Sequence, residues 1–101
     1  MAELRIALPQ PFPPGARALG FADGFQVLVF NIAGTLHAIE NNCPHAGGSL
    51  AGGKLEGQLL RCPSHGLKVD VTCGAIAGGG ELQLRTFPVR LEGACALVEL
   101  G

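Results

Sequence analysis

Cys43-Pro44-His45 is answered by Cys62-Pro63-Ser64-His65, with sixteen residues between the two stretches. The pattern is C-x-H, a spacer, then C-x-x-H. Each half offers one soft thiolate and one imidazole, so the two halves together supply four candidate metal ligands. Each half also holds a proline that stiffens its loop. Glycines follow both, Gly47-Gly48 after the first and Gly66 after the second. Backbone that wraps closely around an inorganic core needs residues without a Cβ. A single structural zinc also takes two cysteines and two histidines, usually with cysteine beside cysteine and histidine beside histidine. Here each half is mixed, an arrangement better suited to two metal atoms with different ligands.

On these residues the chain resembles the Rieske iron–sulfur family, and within it the Rieske-type ferredoxins of bacterial oxygenase systems. The resemblance extends over Gly34-Thr35-Leu36-His37-Ala38-Ile39-Glu40-Asn41 before the first motif. It also takes in Gly53-Lys54-Leu55-Glu56-Gly57 between the motifs and Phe87-Pro88-Val89-Arg90 near the end. It implies one [2Fe–2S] cluster per chain, with Cys43 and Cys62 on one iron and His45 and His65 on the other. It further implies the Rieske fold: all-β, short antiparallel strands forming a barrel or sandwich, with two cluster-binding loops at one end. Residues 1–101 would form a single such domain.

Working outward from the ligands, period-two alternation and turn residues give a chain of short strands. Leu4 to Leu8 alternates. Pro9 through Gly15 is too rich in proline for regular structure. Ala16 to Leu19 reads as a short edge strand, and Asp23-Gly24 as a hairpin turn. Phe25 to Phe30 is an apolar, β-branched strand. Asn31 to Gly34 turns the chain, and Thr35 to Glu40 returns to the first ligand loop. Ser49 to Gly53 is a glycine-rich connector, and Leu55 to Gln58 a tight turn. Leu59 to Arg61 delivers Cys62, and Leu67 to Val71 leaves the second loop. Gly74 to Gly80 reads as a loop; it lacks the lysine and the helix that a phosphate-binding loop requires. Arg85 to Leu91 and Ala94 to Leu100 form a last hairpin across Glu92-Gly93. No segment carries sustained helical spacing with caps. His37 sits within a strand and reads as a packed or half-exposed structural histidine. Cys73 and Cys95 read as inert, partly buried thiols, although a disulfide between them is open in principle.

The 101 residues suit one domain, and 48% hydrophobic content argues for an ordered globule. A net charge of −1 leaves no footprint for nucleic acid. No run approaches the length of a membrane span, and the first residues do not read as a signal peptide, so the expected location is the cytoplasm. The chain has no flavin or nicotinamide fingerprint. After the ligands only His37 remains, too few histidines for the 2-His-1-carboxylate iron site of an oxygenase. The expectation is therefore an electron-transfer protein without a catalytic residue of its own. By resemblance, it would be a monomer taking electrons from a flavin-dependent NAD(P)H reductase and passing them to a terminal oxygenase. Docking would centre on His45 and His65, with Leu50, Pro63 and Leu67 as an apolar rim. The alternatives are a Rieske-type subunit held permanently in a larger enzyme and a zinc-bearing structural module.

Overall fold

A computed structural model of the chain describes residues 3–22, 24–41, 52–61, 68–77 and 83–100. These are organised as β1 (Glu3–Ala7), β2 (Arg17–Ala22), β3 (Phe25–Ile32), β4 (Thr35–Glu40), β5 (Lys54–Glu56), β6 (Leu59–Arg61), β7 (Lys68–Asp70), β8 (Ile76–Ala77), β9 (Thr86–Phe87), β10 (Val89–Glu92) and β11 (Cys95–Glu99). Neighbours pair antiparallel in three sheets, ordered β1-β11-β10, β2-β3-β4-β9 and β5-β6-β7-β8. The class is all-β, as expected. The sheets stack as a sandwich, and no closed barrel forms among the described residues.

The middle sheet is covered on both faces. In β3 the consecutive residues Val27, Leu28, Val29 and Phe30 are all fully buried. Leu28, Phe30 and Ile39 face one way and pack with Leu60, Val69, Val71, Ile76 and Leu84. Val27, Val29 and Ala38 face the other way and pack with Ile6, Phe87, Ala96 and Val98. A strand buried on both faces reads as a continuous apolar run, which is what Val27 to Phe30 shows. Each large side chain so buried stabilises the fold by roughly 1.5–3 kcal/mol.

The bounds expected for β4 and β6 are those observed, and β2 is an edge strand, running Arg17–Ala22 rather than from Ala16 to Leu19. The β2–β3 register Ala22↔Phe25 leaves room for the two-residue turn expected at Asp23-Gly24; Gly24 has φ +84°, and Asp23 lies outside the described residues.

Elsewhere the structure corrects the expectations. Asn31 and Ile32 belong to β3, and the turn is Ala33-Gly34 alone, with φ of 53° and 93°. Asn31 instead straps the surroundings together: its Oδ1 accepts from the Gly34 N–H at 2.8 Å and its Nδ2 donates to the Phe12 carbonyl at 2.8 Å. Leu55 and Glu56 are strand, so that turn is Gly57-Gln58. Residues 75–77 are not loop: β8 pairs with β7, and Ala75 bridges to Gln83, because Ile76 completes the inner row of its sheet. Gly78 to Gly80 lie outside the described residues. The strand expected from Arg85 to Leu91 is two strands in two sheets, β9 against β4 and β10 against β11. Pro88 makes the break, since it has no N–H to continue a ladder. The last turn is Gly93-Ala94 rather than Glu92-Gly93, as the pair Glu92↔Cys95 requires. Cys73 is exposed rather than partly buried, Cys95 is half-buried, and both are free thiols.

Candidate metal centre

The four candidate ligands Cys43, His45, Cys62 and His65 lie outside the described residues, as do Leu50, Pro63 and Leu67. What the structure describes is the frame from which their loops spring. The inner row of the third sheet is Leu55–Leu60–Val69–Ile76, each residue directly opposite the next. These side chains fasten the sheet to Leu28, Phe30 and Ile39 behind it. One register step away runs the row Lys54–Arg61–Lys68–Ala77. Residue 53 precedes the first of these, Cys62 follows the second, residue 67 precedes the third and residue 78 follows the fourth. The end of the first ligand stretch, both ends of the second and the start of the glycine-rich stretch therefore meet along one edge of one sheet. A donor set of two thiolates and two imidazoles in stretches that share such a base would suit a two-iron cluster with unlike ligands.

Both feet of the first ligand stretch are fixed by side chains. At its start, Asn41 is buried, with its N–H donating to the Gln26 carbonyl and its Nδ2 donating to Gln26 Oε1, both at 2.8 Å. At its end, Arg17 Nη1 donates to the carbonyl of buried Gly53 at 2.6 Å. The Arg17 guanidinium also stands 5.4 Å from the centroid of the Phe30 ring, a cation–π contact with the core. Neither Arg17 nor Gln26 carries a spacing signal that sequence reading could have used, because each acts across a long stretch of chain. Asn41 fell within the stretch read as leading into the first loop, but its partner did not.

The opposite end of the same sheet is tied by Asp70. Its Oδ1 accepts from the Thr72 N–H at 2.9 Å and from the Thr72 hydroxyl at 2.6 Å, and its Oδ2 accepts from Gln58 Nε2 at 2.7 Å. Burial pushes the Asp70 carboxyl up, but these hydrogen bonds outweigh it, and with the charge of His37 they hold the group below its ordinary 3.8. His37 itself is half-buried in β4, as a structural histidine would be. Among the described residues no three His, Cys, Asp or Glu side chains gather into a second metal site. No helix among them is long and apolar enough to cross a membrane.

Comparison with known proteins bears on this frame. Residues 4–88 match the Rieske [2Fe–2S] domain family. The ferredoxin component of biphenyl 2,3-dioxygenase from Rhodococcus jostii (strain RHA1) is 37% identical over 102 residues, covering 99% of this chain and 94% of that protein. The ferredoxin component of the naphthalene 1,2-dioxygenase system from Pseudomonas aeruginosa is 29% identical over 80 residues, 78% of this chain and 77% of its own length. Among solved structures, the ferredoxin of carbazole 1,9a-dioxygenase from Nocardioides aromaticivorans IC177 superposes with a TM-score of 0.83 at 30% identity, covering 97% of both chains. A chain from a complex of reduced oxygenase and oxidized ferredoxin in carbazole 1,9a-dioxygenase superposes with a TM-score of 0.84 at 26% identity, covering 95% of this chain and 91% of that one.

Proposed function

The chain belongs to the Rieske [2Fe–2S] domain family, and on that premise we propose that it is the electron-carrying ferredoxin component of a multicomponent ring-hydroxylating dioxygenase system. The observation that carries this reading is the near end-to-end likeness to a dioxygenase ferredoxin component, 37% identical over 99% of this chain. The likeness also covers 94% of that relative, a protein named as a ferredoxin component. In this reading the chain is a free carrier with no catalytic residue of its own.

When bound, the [2Fe–2S] cluster supplies a one-electron couple, raised in potential by neutral imidazoles in place of two thiolates. In this reading Cys43 and Cys62 hold one iron and His45 and His65 the other. The backbone pairing of β5, β6 and β7 sets the spacing of the stretches that bear the ligands, while Gln26 and Arg17 fix the ends of the first one. The partners are a flavin-dependent reductase on the giving side and a terminal oxygenase on the receiving side. Both would dock over the edge that carries His45 and His65. The chain acts as a monomer of one domain in the cytoplasm.

The test is direct. The purified protein should be red-brown, bind two irons and two labile sulfides per chain as the [2Fe–2S] formula requires, and take up one electron in an anaerobic reductive titration. His65→Ala should lose this spectrum, whereas Cys73→Ser should keep it, because Cys73 is an exposed free thiol. A colourless protein holding zinc, or a spectrum lost on Cys73→Ser and kept on His65→Ala, would refute the reading.

A further inference from the structure

Directly opposed residues of an antiparallel sheet project to the same face. In the third sheet Lys54 faces Arg61 and Arg61 faces Lys68, and all three are exposed. They form a ladder of three cations across neighbouring strands, about 5 Å from one to the next. It takes in both lysines of the chain. Two register steps toward the far end the same outer face carries Glu56, Leu59 and Asp70. The face is thus divided, positive at the edge where the ligand loops leave and negative behind it. Among the described residues only Arg61 of the three has a carboxylate partner, Glu56 at 4.0 Å.

Like charges directly opposite each other destabilise a sheet, so the ladder has no structural rationale of its own. Lysine on an edge strand can guard against unwanted pairing. That accounts for Lys54 on β5, but Arg61 and Lys68 lie on the inner strands β6 and β7. The arginines and carboxylates of the first sheet behave differently: Arg5 pairs with Glu92, and Arg90 with Glu3 and Glu92. Lys54 and Lys68, beside the ligand stretches, have no carboxylate partner among the described residues. Arg61 is bonded to Cys62 and Lys68 to residue 67, and a six-residue connection reaches at most about 12 Å from its ends. That distance lies well within the Debye length at low ionic strength, about 30 Å at 0.01 M.

We propose that Lys54, Arg61 and Lys68 form an electrostatic docking ladder for an acidic redox partner, a protein whose electron-exchange face presents carboxylates around its own redox centre. The ladder and the carboxylates behind it turn an approaching acidic face toward the ligand-bearing edge, and charge of this kind acts mainly on the rate of encounter. This inference rests on the electron-carrier reading.

The experiment uses small probes in place of the partner. The dithionite-reduced protein gives one electron to ferricyanide, yielding ferrocyanide, or one electron to tris(phenanthroline)cobalt(III), yielding the cobalt(II) complex. Stopped-flow rates are read from low to high salt, with the visible spectrum and midpoint potential measured alongside. Wild type should react with ferricyanide faster at low salt, with the rate falling as salt rises, and should show the opposite salt slope with the cationic cobalt complex. The Lys54→Glu, Lys68→Glu double variant should lose about tenfold or more of the low-salt ferricyanide rate, with its spectrum kept. It should also lose the binding of a hexaglutamate peptide that calorimetry detects in wild type, a readout independent of electron transfer. Salt-independent ferricyanide rates in wild type overturn the proposal without recourse to any variant. So do equal rates and equal peptide binding in the wild-type protein and the double variant, or in wild type and Lys54→Gln, Lys68→Gln should the reversed charges prevent assembly. A wild-type protein with no reducible cluster would instead overturn the carrier reading.

Discussion

Replacing Arg17 by methionine keeps most of the side chain's apolar length and removes the guanidinium. The buried Gly53 carbonyl then loses its donor at 2.6 Å. A charged donor to a carbonyl is worth roughly 1.5–3 kcal/mol, and leaving a buried carbonyl unsatisfied costs about 1–3 kcal/mol. The cation–π contact with Phe30 adds a further ~0.5–1 kcal/mol. Arg17 is only half-buried, so the lower part of these ranges applies, and about 2 kcal/mol is expected for Arg17→Met. The loss falls at the foot of the first ligand stretch. If it is felt locally, that stretch opens about 30-fold more often. The assay is the rate at which an excess of iron chelator bleaches the visible spectrum in native buffer, with the urea midpoint measured in parallel. Val98→Ala is the control: Val98 is fully buried in the far core, and the methyl groups removed cost about 2 kcal/mol. Both variants should lower the urea midpoint similarly. Only Arg17→Met should accelerate bleaching by about 30-fold, and Arg17→Lys should fall between it and wild type. Equal acceleration in Arg17→Met and Val98→Ala, or none in Arg17→Met, would refute a local role for Arg17.

Gly74 has φ +81°, and a Cβ there would land on the Leu84 carbonyl oxygen, so Gly74→Ala should cost on the order of 3 kcal/mol in urea unfolding. Gly93→Ala, at φ +61° with open space around it, should cost only about 1 kcal/mol; equal effects would contradict the close approach of residues 74 and 84. The Asp70 carboxyl is held below its ordinary 3.8 in the folded protein, so its contribution to stability is complete above that value. It is lost as pH falls through the lowered folded value, because the unfolded chain takes up the proton first. The urea-midpoint difference between wild type and Asp70→Asn should therefore be constant from pH 7 down to about pH 5 and shrink below pH 3.8. A difference that grows on acidification would contradict the sign.

The sequence by itself determined the all-β class, most of the strands and the family. Alternation and turn residues gave Thr35–Glu40 and Leu59–Arg61 their observed bounds, because a two-residue period is a local property of the chain. The mixed C-x-H and C-x-x-H pattern pointed to the family for a similar reason, as ligand identity and spacing are written directly in the residues. Tertiary structure decided the pairing. β1 joins β11 across nearly the whole chain, and the segment around Pro88 divides between two sheets. No local window contains those contacts, and they follow from the need of β3 and β4 to be covered on both faces. Register is likewise a property of partners rather than of one strand. Lys54, Arg61 and Lys68 look unrelated in sequence and stand in line only when their three strands are paired, and Arg17 reaches Gly53 only when two sheets are stacked. Side chains that act between elements leave no periodic trace, so they become visible only once burial of the apolar faces has fixed which elements meet.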